Sequence, residues 1–184
     1  MEIEVSAEAK DKRLNRLVAI TVVVLSVFTG LCGIKDGNIV QAMQAAQAAS
    51  VDGWNEYQAT KTKLHLAEAS RLQIQTLAAP GKGDAAIAAL DKDMAKYKAE
   101  APALAAAAKA QGDLYDALNV HDDQFDAADA AISTAISLAA VAALVESGLL
   151  LWAAWVFGAF GLFMGLNGFL GGSFHPAVLS TFLG

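Results

Sequence analysis

The residues best suited to chemistry lie together in "HDDQFDAAD": His121, Asp122, Asp123, Asp126 and Asp129. On a helix, Asp122, Asp126 and Asp129 share one face at i, i+4 and i+7. Such a face could hold a divalent cation through its carboxylates. It also reads as a solvated acidic collar beside a membrane, with Lys35 near Asp126 and Asp129 to neutralise part of the charge. The collar is the reading adopted. His65 and His175 have no ligand-spaced His or Cys nearby, so no metal site is expected. No Ser-His-Asp or Cys-His arrangement is suggested. The glycines of "GLFMGLNGFLGG" neither follow a strand nor open a helix, as a phosphate-binding loop would. No catalytic residue and no cofactor is expected, and the chain does not read as an enzyme. Two polar residues stand alone in apolar surroundings, Glu146 and Asn167. Each could hydrogen-bond at a helix interface or border a polar path.

The elements that must position these residues are helices. The chain has 184 residues, 55% hydrophobic and 17% charged, with three prolines, and strand-like alternation is nearly absent. The formal net charge of −6 argues against a nucleic-acid binder, which needs a basic face. The single cysteine, Cys32, cannot form an internal disulfide.

The apolar residues concentrate toward the two ends. "LVAITVVVLSVFTGLCGI", residues 17–34, is uncharged and just long enough to cross about 30 Å of hydrocarbon. It reads as a retained crossing, because no small-x-small cleavage site follows and Glu2, Glu4, Glu8 and Asp11 precede it. The second apolar region is long enough for two crossings. It is split at "ESG" into 127–145 and 149–170, with Trp152 and Trp155 near the turn as interfacial aromatics. Lys10, Lys12, Arg13 and Arg16 precede the first crossing and only Lys35 follows closely. The positive-inside rule then puts residues 1–16 in the cytoplasm, residues 35–126 outside, and the tail 171–184 outside.

Residues 35–126 read as two helical arms. Good helix formers run to Ala79, "PGKGD" at 80–84 makes a turn, and Asp84 can cap the returning helix. The arms, about 42 and about 43 residues, would each be about 63 Å long. Pro102 should kink or briefly break the second arm. A heptad seam runs along that arm through Ile87, Leu90, Met94, Tyr97, Ala101, Leu104, Ala108, Gln111, Tyr115, Leu118, Asp122, Phe125, Asp129 and Ile132, apolar or aromatic apart from Gln111, Asp122 and Asp129. The first arm shows a weaker one through Val40, Met43, Gln47, Ser50, Trp54, Tyr57, Lys61 and Leu64. Pairing about the turn sets Trp54 near Lys109 and Leu64 near Ala99. The expected fold is therefore an all-α membrane protein, with three transmembrane helices and a long antiparallel helical hairpin between the first and second.

The third crossing carries Gly158, Gly161, Gly165, Gly168 and Gly172 at steps of three, four, three and four. They form one stripe. In a bilayer no hydrophobic force drives helices together, and small residues let backbones approach closely. The stripe is expected to pack against the preceding crossing or against the same helix of another copy.

"RLNRLVAITVVVLSVF" followed by "KDGNIVQAMQAAQAASVDGWNEYQATKTKLHLAEAS" resembles a family of bacterial membrane proteins classed as a domain of unknown function. The resemblance is most specific from Arg13 to about Ser70. Thr60 departs from the family's "YQAK" pattern, and "ESG" departs from its arginine-rich turn. It implies the N-terminal crossing, the C-terminal pair and a bacterial inner-membrane location, and it transfers no catalytic residue. Two functions follow as expectations. One is a structural or interaction protein, an oligomeric scaffold or an accessory subunit of a larger membrane assembly. The other is a channel or transport component with a path past Asn167 or Glu146. The expected partners are further copies, the lipid bilayer and a larger membrane complex, with no nucleic acid.

Overall fold

A computed structural model describes residues 2–174, with side chains from Lys12 onward. Met1 and residues 175–184, which include His175 and most of the expected tail, lie outside the described residues. Three helices form the described chain: α1 (Glu2–Leu77), α2 (Asp84–Leu144) and α3 (Gly148–Phe169). Among the described residues there is no strand. All three helices contain a stretch long and apolar enough to cross a membrane.

The helix ends follow from local chemistry. After α1, Pro80 and Gly81 prevent continuation, and Gly81 takes the left-handed conformation at φ 79°. Asp84 is the first residue of α2 rather than its cap, and the Gly83 carbonyl accepts the Ile87 N–H at 2.9 Å. The Asp84 carboxylate still faces the positive end of the helix dipole. Between α2 and α3, Ser147 N–H reaches back to the Ala142 carbonyl at 3.0 Å. Glu146 occupies the left-handed position of that cap, at φ 51°, where glycine is usual. Gly148 instead opens α3.

α2 does not break at Pro102. Proline lacks the N–H that the Lys98 carbonyl would accept. Lys98 and Pro102 are both exposed, so water can take the missing partner's place.

The chain divides into two compact units, Met1–Gln41 with Ala117–Gly184, and Ala42–Asp116. The first has a core of small and branched residues. At one end Val18, Ala139, Ala142, Leu151 and Ala154 pack together. Leu25, Ile132 and Ala135 form a second cluster, and Ala127, Ala128 and Met164 a third. Large apolar side chains of α1 such as Val23, Val27 and Leu31 point away from this core.

In the second unit α1 and α2 touch through small residues. Ala108 is almost wholly buried, and a Cβ built on Gly53 would lie 2.9 Å from its Cβ. Ser50 Oγ donates to the Ala108 carbonyl at 3.1 Å. Further along, Glu68 pairs with Lys98 at 3.3 Å and Arg71 with Asp91 at 2.6 Å. Residue numbers thus fall along α2 as they rise along α1.

The inward face of α1 agrees with the expected seam at buried Met43 and Leu64 and at half-buried Val40, Ser50, Tyr57 and Lys61, and departs from it elsewhere. Val18, Leu25, Cys32, Ile39, Ala46, Thr60 and Ala67 are buried, and Gly53 and Ile74 are half-buried, one position every seven residues. Gln47 and Trp54, assigned to the seam from sequence, are exposed. Ala46 and Gly53 turn inward instead, because the narrow gap against α2 takes a glycine and excludes an indole.

Candidate functional site

The glycines of α3 face its neighbours in the first unit. Gly158, Gly161, Gly165 and Gly168 are buried. A Cβ on Gly158 would meet Leu25 Cδ1 at 3.1 Å and Ala135 Cβ at 3.7 Å. On Gly161 it would meet Ile132 Cγ1 at 2.6 Å and the Ala128 carbonyl oxygen at 3.0 Å. On Gly165 it would strike the Phe28 ring at 2.6 Å and approach Cys32 Sγ at 3.0 Å. On Gly168 it would strike the Phe125 ring at 2.9 Å. Gly172 does not belong to this helix face. α3 ends at Phe169, and left-handed Gly171 (φ 68°) turns the chain before Gly172 is reached. A Cβ there would run into the Asn167 amide.

α1 carries glycines at similar spacing, Gly30, Gly33 and Gly37. Among the described residues, nothing lies within 4 Å of a Cβ built on any of them.

The acidic residues assemble differently from the sequence reading. Lys35 is exposed and forms no ion pair with a described carboxylate. Its neighbour Asp36 points inward instead. Asp36 lies four residues after buried Cys32 and three before buried Ile39, on the inward face, and Lys35 is one step around the helix. Asp36 hydrogen-bonds Asp122, and its Oδ1 is buried without a partner. Burial first, then the Asp122 carboxylate, then Asp126 and Asp129, push the Asp36 carboxyl up to about 6. Asp126 and Asp129 are exposed and Asp122 is half-buried. No group of three or more His, Cys, Asp or Glu among the described residues is arranged to hold a metal ion.

The remaining polar candidates are separated. Glu146 sits in the turn between α2 and α3. Asn167 Nδ2 donates to the Phe174 carbonyl at 3.1 Å. His65 is exposed on α1, beside Glu68 at 3.2 Å. His121 lies against Gln124, with Nδ1 3.0 Å from Oε1. The sequence reading passed over Gln124, which is fully buried and donates to the carbonyls of Gly172 and Phe174. No sequence signal marks it, because it stands among aspartates and its partners are distant backbone carbonyls. Trp155 Nε1 donates to Thr21 Oγ1 at 2.9 Å, which ties α3 to α1.

The arrangement offers close helix packing, carboxyls of raised pKa at Asp36 and Asp126, and a buried amide. No curated protein and no solved structure matches the chain. The profile of the family described as Domain of unknown function (DUF4337) matches residues 14–171, which spans all of α2 and α3 and most of α1, and the chain belongs to that family.

Proposed function

We propose that this chain is a structural membrane protein, a helical scaffold that assembles with further copies of itself or within a larger membrane complex. Residues 17–34, 127–145 and 149–170 cross the bacterial inner membrane. Residues 1–16 are cytoplasmic, and residues 35–126 form an antiparallel helical hairpin outside, with its tip at 80–84. The basic flank of Lys10, Lys12, Arg13 and Arg16 supports this orientation.

The observation that carries the assembly is the open glycine run of α1. Gly30, Gly33 and Gly37 leave a shallow face uncovered on a helix apolar enough to cross a membrane. Small residues on such a face allow a second helix to approach closely. The α3 glycines serve packing within the chain, which leaves the α1 run for packing between chains. The pore reading gains no comparable support, because the Asn167 amide is engaged by the Phe174 carbonyl and Glu146 lies in a turn.

The test is the mass of the protein in mild detergent. The wild type should run as an oligomer, and Gly33→Leu as a smaller species of unchanged helicity. A monomeric wild type would remove the scaffold reading. An oligomer untouched by Gly33→Leu would move the contact away from α1's glycines.

A further inference from the structure

The faces that α2 and α3 present to each other repeat. On α3 a buried stripe runs through Leu151, Ala154, Gly158, Gly161, Gly165 and Gly168 at steps of three and four, with Met164 buried beside it. On α2 Ala128, Ala135 and Ala142 recur every seven residues and are buried, and the larger Ile132 and Phe125 lie against Gly161 and Gly168. Glycine or alanine of α3 meets this face at a regular interval. If α3 slid by one step of its stripe, glycine or alanine would again face alanine. Dispersion contacts change little between such seatings, and they carry no direction. Something else must choose among them.

Among the described residues, one buried side chain of α2 makes directional bonds to the chain that leaves α3. Gln124 is 0% exposed. Its Nε2 donates to Gly172 O at 2.9 Å and to Phe174 O at 2.7 Å. Its Oε1 lies 3.0 Å from His121 Nδ1, which donates to it in the Nδ1–H tautomer. Both amide protons and the carbonyl are therefore satisfied. The acceptors are held in place from their own side. Gly172 N–H bonds Asn167 O at 2.9 Å, and Asn167 Nδ2 bonds Phe174 O at 3.1 Å. Left-handed Gly171 provides the reversal that brings this strap back to α2.

We propose that Gln124 is the register pin of this unit: its buried amide, clasped by the Gly172 and Phe174 carbonyls, selects one seating of α3 on α2 from those the small-residue repeat would accept. A slide of three or four residues moves the strap by about 5 Å, a full helical turn. That exceeds the reach of a hydrogen bond. The buried amide would then be left unpaired, which is strongly unfavourable. Single buried polar residues fix register in paired helices by the same logic. Trp155 and Thr21 add a directional contact to α1, but its indole is exposed and it does not join α3 to α2.

The test uses intrachain disulfides in native membranes, in the full chain with Cys32→Ser. The Cβ position of Gly158 lies 3.7 Å from Ala135 Cβ, inside the range a disulfide spans. Ala135→Cys with Gly158→Cys reports the described seating. Ala135→Cys with Ala154→Cys, or with Gly161→Cys, reports a slide of one step either way. With Gln124 intact, the first pair should crosslink at least tenfold faster than the other two. Gln124→Met keeps the length and removes the amide, and this preference should collapse to within about threefold, as free energy differences of order RT allow. Gln124→Glu keeps a polar group but cannot donate to both carbonyls, and it should behave like Gln124→Met. Retention of the tenfold preference in either helical variant would overturn the proposal. So would comparable crosslinking of all three pairs with Gln124 in place, a result that needs neither variant to fold.

Discussion

Glycines at steps of three and four occur on both α1 and α3, and the two runs have opposite surroundings. On α3, a Cβ at Gly161 or Gly165 would stand 2.6 Å from a neighbouring side chain. On α1, a Cβ at Gly30, Gly33 or Gly37 would meet nothing within 4 Å among the described residues. Spacing tells that glycines share a face. It does not tell what the face meets. The difference is set by the rest of each helix. α3 has Leu151, Ala154 and Met164 on its buried side, which bring α1 and α2 against its glycines. The core side of α1 carries Leu25, Phe28 and Cys32, and Gly30 and Gly33 lie around the helix from it.

The largest effect that tests this contrast should come from Gly165→Leu. Its branched side chain would enter space held by the Phe28 ring and Cys32 Sγ. Overpacking of this kind costs about 3 kcal/mol or more where two neighbours must move. Thermal unfolding in detergent should start well below the wild type, with subunit number unchanged. Normal melting with a smaller assembly would show that Gly165 faces another chain.

A matched pair of alanines gives a difference in sign. Helix propensity favours alanine over glycine by up to about 1 kcal/mol. Gly33→Ala should collect that gain, and its melting temperature should rise or hold. Gly161→Ala should lose about 1–2 kcal/mol net, because backbone atoms of Ala128 and Ile132 are among the neighbours and cannot rotate aside. Equal shifts in the two variants would erase the contrast between the helices.

Asp36 sharpens the comparison from the other side of α1. Its carboxyl is raised to about 6, by burial and by Asp122, above the ordinary carboxylate range of the unfolded chain. The folded protein therefore binds more protons than the unfolded one between about pH 4 and 6. Stability from this group is fully present below that window and is lost as pH rises through about 6. Melting temperature should be higher at pH 5 than at pH 7. Asp36→Asn should flatten that slope and raise stability at pH 7. An unchanged slope in Asp36→Asn would assign the effect to other carboxylates.

The smallest effect is expected at Gly53, where α1 approaches Ala108 in the second unit. A methyl there must push against Ala108 Cβ at 2.9 Å and Cα at 3.2 Å. None of these atoms can rotate aside, so the cost exceeds the gain in helix propensity by about 0.5–1 kcal/mol. Gly53→Ala should lower denaturant midpoints slightly, and Gly53→Leu should lower them clearly. Tolerance of leucine would mean the arms do not hold this approach.

Much of the helical plan is legible in the sequence, because proline, glycine and charge mark its breaks. "PGKGD" separates α1 from α2, and "ESG" lies at the junction of α2 and α3. The seam of α2 can be read because Tyr97, Leu104 and Phe125 are large. The seam of α1 cannot be read the same way. Its inward positions include Ala46, Gly53 and Thr60, whose small size suits a narrow gap and gives little hydrophobic signal. Trp54 gives a strong signal and is exposed. Lys35 and Asp36 show the same limit at the acidic end. A charge pair chosen from the pairing of the arms about the turn favours lysine, while one step around the helix turns aspartate inward. Gln124 is hidden by its setting among aspartates, since its partners are backbone carbonyls 48 and 50 residues away.

Pro102 gives α2 a property that its length conceals. The helix is continuous from Asp84 to Leu144, yet its ladder of hydrogen bonds has a missing rung at the Lys98 carbonyl. Opening one turn there costs one bond fewer than elsewhere. Cooperativity should weaken at that point, so α2 fluctuates as two blocks, one toward the 80–84 turn and one toward the core containing Ile132. The block near the turn is held by exposed ion pairs such as Arg71 with Asp91, which are individually weak. Hydrogen exchange would therefore reach its amides first. One unbroken helix in space is, on the timescale of local opening, two.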